Sequence, residues 1–168
     1  DWVIIDGDAG AVIVDPSPII LAEYGFKQRQ IALERERLTR LRHTPAVTLD
    51  AQAIELLANI EQPGDVASAL RAGAEGVGLF RSEFLFMGRA GRMPDEEEQY
   101  QAYREAVEGM QGLPVTIRTI DVGADKPLDK SHKDSSLNPA LGLRAIRWSL
   151  ADPAMFRTQL RAVLRAAV

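Results

Sequence analysis

Gly76-Val77-Gly78-Leu79-Phe80-Arg81 and Val115-Thr116-Ile117-Arg118-Thr119-Ile120 decide the fold class of this chain. Each run is too short for a helix and rich in the branched or aromatic residues that suit a pleated surface. A third run, Ala53 to Ile60, is bounded by Pro63-Gly64 and reads as a strand over residues 53–60. The three are largely apolar on both faces, as strands of a covered parallel sheet are. Helical signals lie between and after them. Asp65 to Leu70 begins one helix, and Pro94-Asp95-Glu96-Glu97-Glu98 opens another whose apolar face is Tyr100, Tyr103, Val107 and Met110. Proline suits the first turn, and acids suit the positive end of the helix dipole. Asn138-Pro139 and Asp152-Pro153 each pair a capping residue with proline at the first helical position. The last helix carries Phe156, Leu160, Val163, Leu164 and Ala167 on one side. Strand and helix in alternation predict an α/β fold with parallel strands near residues 53–60, 76–81 and 115–120. Three such units are too few for a closed eight-stranded barrel, which needs roughly 200 residues or more.

Upstream the pattern differs. Trp2 to Val14 holds two β-branched runs around a Gly/Asp turn and reads as a hairpin. A lone hairpin is marginal in water, so this one is expected to complete a larger sheet. From Ile19 to Arg42 the composition is strongly helical, with Tyr24, Ile31 and Leu38 recurring every seventh residue. A long solvated connector is expected there, with a weak coiled-coil seam as the alternative. His43-Thr44-Pro45 ends it. The chain closes on Arg165-Ala166-Ala167-Val168 inside a helical pattern, and so reads as an internal piece.

Composition narrows the function. A net charge of −4 argues against general nucleic-acid binding, which needs clustered positive charge. There is no cysteine for disulfides or thiolate metal sites, which agrees with a cytosolic origin, and two histidines are too few for a histidine metal cluster. His132 sits in a polar loop and His43 at a helix end, without context for phosphate acceptance. Gly73, Gly76 and Gly78 lack the Lys-Ser/Thr that a nucleotide loop requires. The basic residues are 16 arginines and 4 lysines. The arginine fork grips carboxylate and phosphate with paired hydrogen bonds, although coding bias gives the same excess.

Arg81 and Arg118 stand where parallel α/β folds place active groups, at the carboxyl ends of strands. On neighbouring strands they would converge on one small anion. Alternatively each pairs with a nearby acid such as Glu83 or Asp121. Arg144 follows the small residues Ala140 and Gly142 at an expected helix start, where an anion is favoured. The loop Asp121-Val122-Gly123-Ala124-Asp125-Lys126 leaves a strand, and its Asp121, Asp125 and Lys126 serve either chemistry or one structural ion network.

Four ordered segments resemble Enzyme I of the bacterial phosphotransferase system, the phosphoenolpyruvate-protein phosphotransferases. They are Gly78 to Met87, Pro94 with Glu96 to Tyr100, Ile117 to Lys126, and Asn138 to Arg147. The resemblance implies a partition into the hairpin end of a swivelling phosphohistidine domain (1–16), a linker helix (17–46) and the first units of a (β/α)8 phosphoenolpyruvate-binding barrel (47–168). It implies a cytoplasmic enzyme that moves the phosphoryl group of phosphoenolpyruvate to a histidine and on to the carrier HPr. By the same resemblance Arg81 and Arg118 bind phosphoenolpyruvate, and Arg144, Glu83, Asp121 and Lys126 are possible supporting residues. The phosphohistidine, the Mg2+-binding carboxylates and the catalytic cysteine of that family lie outside these residues. The piece alone is therefore expected to be inactive, and its incomplete barrel to self-associate. Glu61 and Ala124 stand where the family commonly carries glycine. The related phosphoenolpyruvate synthases and pyruvate phosphate dikinases share the strand-end Arg-x-Glu pattern but fit the Phe-Leu-Phe-Met stretch less well. A non-catalytic helical assembly module built on the Tyr24/Ile31/Leu38 stripe is the alternative of another class.

Overall fold

The computed structural model describes residues 2–89, 92–122, 138 and 141–168. The chain divides into two compact units, Asp1–Thr44 and Pro45–Val168.

In the first unit, β1 (Val3–Asp6) pairs antiparallel with β2 (Ala11–Val14), Val3 opposite Val14 and Asp6 opposite Ala11. Asp6 shapes the turn: its Oδ1 accepts the N–H groups of Ala9 at 2.9 Å and Asp8 at 3.1 Å. The Ala9 N–H, and then the Tyr24 hydroxyl, hold the Asp6 carboxyl below its ordinary range. Helix α1 (Pro18–Thr39) has Ser17 as its cap, with the Ile20 N–H donating to its hydroxyl, and proline in the first turn. Lys27 lies over the Tyr24 ring at 4.4 Å and 3.7 Å from Asp6, which ties the start of α1 to the hairpin. Farther along, no residue of α1 is buried; Ile31 and Leu38 are each about half exposed. A short 3-10 turn, Arg40–His43, follows.

In the second unit, β3 (Ala58–Ile60), β4 (Val77–Arg81) and β5 (Val115–Arg118) form one parallel sheet in the order β3-β4-β5. The expected parallel pairing is present, but all three strands are shorter than the sequence implied, β4 only by Gly76. Residues 53–57 are not strand. A local turn takes them first: Thr48 bonds Gln52, Ala51 adopts a φ of 64°, and Val47 bridges Ala53 in antiparallel fashion. At the other edge β5 stops at Arg118, because the Ile120 N–H turns away to a side chain of the last helix.

Gly78 of β4 and Gly76 just before it are fixed by this geometry. Leu57 lies directly on Gly76 and Gly78; a Cβ on Gly76 would stand 2.9 Å from Leu57 Cδ2 and 2.9 Å from the Pro114 carbonyl oxygen. Backbone cannot yield as a flexible side chain does. Gly76→Ala is therefore expected to cost roughly 1–3 kcal/mol, read as a lower urea midpoint at unchanged m-value. An unchanged midpoint would show that the strand edge gives way freely.

Helix α2 (Val66–Ala72) starts after a 3-10 turn at Pro63–Asp65 and ends at Gly73, whose φ of 86° suits a left-handed cap. Helix α3 (Glu96–Gly109) is capped by Asp95, so Pro94 precedes the cap rather than opening the helix. Asp95 and Glu98 exchange side-chain and backbone hydrogen bonds in a capping box. Glu98 also receives Arg92 at 2.6 Å and Arg89 at 3.0 Å. With the Asp95 N–H as the largest contribution, these donors lower its carboxyl to about 2.

Helix α4 (Ala145–Ala151) begins at Ala145 with Arg144 as its cap, and the helix start expected at Asn138-Pro139 is not covered by the described residues. Asn138 forms a bonded turn with Leu141, and Pro139 lies outside the described residues. Helix α5 (Pro153–Ala166) does start at Asp152-Pro153, with the Met155 N–H donating to the Asp152 carboxylate. Its inward face, however, is Gln159, Ala162 and Ala166, while Leu160 and Leu164 are exposed. Small residues there let α5 lie close on α3, where Arg165 caps the ring of Tyr100 at 4.0 Å and bonds Glu96 and Glu97. The main core joins Ile60, Val77, Phe80, Tyr103, Met110 and Ala162. A second, smaller core of Phe86, Ile120 and Val122 packs under the carboxyl end of the sheet with Trp148 and Met155.

Candidate functional site

The carboxyl ends of three neighbouring parallel strands bring charged side chains together. Arg81 ends β4 and Arg118 ends β5, and the two are direct partners in the parallel register. The β4–β5 register shifts once, between Val77 and Phe80, and is continuous from Phe80–Ile117 to Arg81–Arg118, so both arginine side chains leave the same face at the same height. Glu61 follows the last residue of β3, the strand on the other side of β4.

Each arginine meets a carboxylate. Arg81 Nη1 lies 2.7 Å from Glu61 Oε1, with the Arg81 side chain 33% exposed and that of Glu61 41% exposed. Arg118 pairs with Glu83 through Nη2, and its Nη1 stands 3.9 Å from Asp121 Oδ2. Glu83 is only 1% exposed, and neither of its oxygens has a well-directed hydrogen bond among the described residues. Arg144 reaches back to Asp121, donating from Nη2 at 2.9 Å and from Nε at 3.2 Å. Three candidate residues, Arg118, Arg144 and Asp121, therefore share one ion network, with Glu83 as its buried end. Arg81 stands beside them with a different acid. The expected pairing with a nearby acid is present in Arg118, which meets both Glu83 and Asp121. Lys126, together with Asp125 and His132, lies outside the described residues.

Beneath the arginines runs a buried polar chain that the sequence did not point to. Ser82, fully buried, donates to the Arg118 carbonyl at 2.6 Å. Gln159 donates to the Ser82 hydroxyl at 3.0 Å and to the Tyr103 hydroxyl at 3.0 Å, and accepts the Ile120 N–H at 2.9 Å. Tyr103 in turn donates to Gln99 at 3.3 Å, and Gln99 to the Pro94 carbonyl at 3.0 Å. Burial is the main cause that pushes the Tyr103 phenol upward, so it stays a neutral donor. The chain fixes both backbone polar groups that flank the end of β5. One signal was present in the sequence: Gln159 falls at helical spacing between Met155 and Ala162, polar on a face otherwise apolar.

Glu61 was visible only as a departure from the family's glycine. Its own N–H and that of Gln62 are held by the Asp65 carboxylate at 3.0 and 2.9 Å. Those two bonds, the Glu61 N–H first, lower the Asp65 carboxyl below its ordinary range.

The cluster suits an anion with several oxygens, because guanidinium groups bind phosphate and carboxylate by charge-assisted hydrogen bonds. It does not suit a divalent cation. Glu61, Glu83 and Asp121 all face arginines, and no group of three potential metal ligands occurs among the described residues.

Comparison with known proteins gives a family and relatives. Residues 35–168 match the family model described as "PEP-utilising enzyme, PEP-binding domain". The chain is 68% identical over 168 residues to a phosphoenolpyruvate-protein phosphotransferase of Cupriavidus necator, covering 99% of this chain and 29% of that protein. It is 49% identical to the protein of the same name from Geobacillus stearothermophilus and 45% identical to that of Staphylococcus carnosus, again over 168 residues and 29% of each. The chain thus spans less than a third of the length of these relatives, at 29%.

Proposed function

This chain belongs to the PEP-utilising enzymes through their PEP-binding domain, and from that premise we propose that it holds the arginine half of a phosphoenolpyruvate site in a longer phosphoenolpyruvate-protein phosphotransferase. The observation that carries the proposal is the register pairing of Arg81 with Arg118 at the carboxyl end of adjacent parallel strands. Phosphoenolpyruvate bears a phosphate and a carboxylate, and phosphoryl transfer is catalysed mainly by positioning and charge neutralisation. Arg81 and Arg118 bind the oxygens of the substrate and neutralise charge as the phosphoryl group departs. Arg144 adds a third guanidinium, with Asp121 orienting it and Glu83 holding Arg118. Lys126 completes the set as a supporting cation.

The three parallel strands are the first units of a (β/α)8 barrel (47–168), the segment of residues 17–46 is a linker built on α1, and the hairpin of residues 1–16 belongs to a swivelling domain whose histidine, elsewhere in the longer protein, accepts the phosphoryl group. That histidine passes it to an HPr-type carrier in the cytoplasm. Mg2+, when bound by carboxylates elsewhere in the protein, screens the phosphate charge; the acids described above are committed to arginines. No helix among the described residues is long and apolar enough to cross a membrane.

The test separates the two half-reactions in the full-length protein. Arg81→Ala is expected to lower phosphoenolpyruvate-dependent transfer by about 10²-fold or more. Exchange of phosphate between the histidine and the carrier should stay near the wild-type rate, because that step does not use the barrel. Equal loss of both reactions, or full transfer by Arg81→Ala, would remove Arg81 from the site.

A further inference from the structure

We infer that Glu61 is a resident competitor at the anion site: its carboxylate pairs with Arg81 and must swing away when a phosphorylated ligand arrives. The inference rests on the site proposed above and concerns a residue to which that proposal gives no part. Glu61 places one oxygen 2.7 Å from the Arg81 guanidinium, where a ligand oxygen would sit.

Three observations make this contact displaceable rather than structural. Its two side chains are 33% and 41% exposed, whereas Glu83 on Arg118 is 1% exposed. An ion pair open to water is weak, while a buried carboxylate has nowhere to go without losing its only counter-charge. The backbone beneath Glu61 is clamped by Asp65, which bonds the N–H groups of both Glu61 and Gln62. Movement is therefore confined to side-chain rotation, and nothing in the strand needs to shift. Finally, among the described residues Arg81, Arg118 and Arg144 face Glu61, Glu83 and Asp121. Rotation of Glu61 into solvent takes one negative charge from beside Arg81 and opens its guanidinium to the incoming anion.

Displacement lowers the affinity for every anion. The penalty is one common factor for every anion that uses Arg81, so Glu61 sets how tightly the site binds rather than which anion it prefers. It is a positioning residue, acting through Arg81.

The experiment uses the full-length protein, with phosphoenolpyruvate binding measured by calorimetry and transfer by steady-state kinetics. E61Q keeps the shape and removes the charge. It is expected to tighten phosphoenolpyruvate binding and lower KM by about three- to ten-fold, with kcat changed less than about two-fold. E61D is expected to stay near wild type. In an R81A background E61Q should have no further effect, since the competition runs through that guanidinium. Unchanged or weaker binding by E61Q, with R81A impaired, overturns the inference and leaves the site intact. Transfer unaffected by R81A overturns both.

Discussion

Replacing Arg118 with alanine in the full-length protein is expected to lower phosphoenolpyruvate-dependent transfer by about 10²–10³-fold and to cost about 2–4 kcal/mol of stability. The two losses have different origins. Transfer falls because one of two register-paired guanidinium groups no longer meets the substrate. Stability falls because Glu83, 1% exposed, keeps a carboxylate whose counter-ion is gone. Removing one partner of a buried pair costs far more than the pair was worth, since the remaining charge stays desolvated. Arg118 is itself 34% exposed, which admits some water and sets the estimate below the upper range for a fully buried pair. The double variant Arg118→Ala/Glu83→Gln separates the effects: it should recover most of the thermal stability and none of the transfer. Arg118→Lys should keep the fold and recover only part of the rate, because an ammonium lacks the planar fork. Full transfer by Arg118→Ala, or its recovery in the double variant, would show that this arginine serves the fold alone.

What the sequence made legible was local. Short apolar runs named β4 and β5, and the residues at their ends followed by counting. Arg81 and Arg118 needed only the further supposition that the two strands are neighbours. Partner choice was legible for Arg118, which meets the named acids Glu83 and Asp121, and not where it joins residues far apart: Arg81 meets Glu61 across 20 positions, and Ser82 meets the Arg118 carbonyl across 36. Where two local tendencies competed, the nearer one won. Residues 53–57 have strand composition, yet the Thr48–Gln52 turn claims Ala53 and Ile54 before β4 can. The face of α5 was misread for a physical reason too. Leu160 and Leu164 outweigh Ala162 and Ala166 in apolarity, but close approach to α3 selects the smaller pair. Helix α4 has Arg144 at its cap position, which puts Arg144 beside Asp121.

Gln159→Leu is expected to destabilise the protein by about 2–4 kcal/mol, an unusually large penalty for a change that nearly conserves volume. A leucine fills the same space, so the cavity contribution is small and the loss is almost wholly polar. Gln159 is fully buried, and its oxygen is the acceptor for the Ile120 N–H across 39 positions. That N–H would be left without a partner in a site closed to water, a cost of roughly 1–3 kcal/mol by itself. The remainder comes from Ser82 and Tyr103, which both lose a donor yet keep an acceptor, the Arg118 carbonyl and Gln99 respectively. Tyr103→Phe, which removes only one member, should cost less, about 0.5–1.5 kcal/mol. The same variant reaches function, because the Ile120 N–H and the Arg118 carbonyl are the two groups that hold the end of β5. Loosening them lets the Arg118 guanidinium wander, and small misplacements of a charge-neutralising group are costly to transfer. Chemical denaturation of Gln159→Leu therefore belongs beside its transfer rate measured well below the unfolding temperature. Stability within about 0.5 kcal/mol of wild type would show that water or a backbone shift satisfies Ile120. A lower stability with an unchanged rate would confine the buried chain to the fold and release Arg118 from its control.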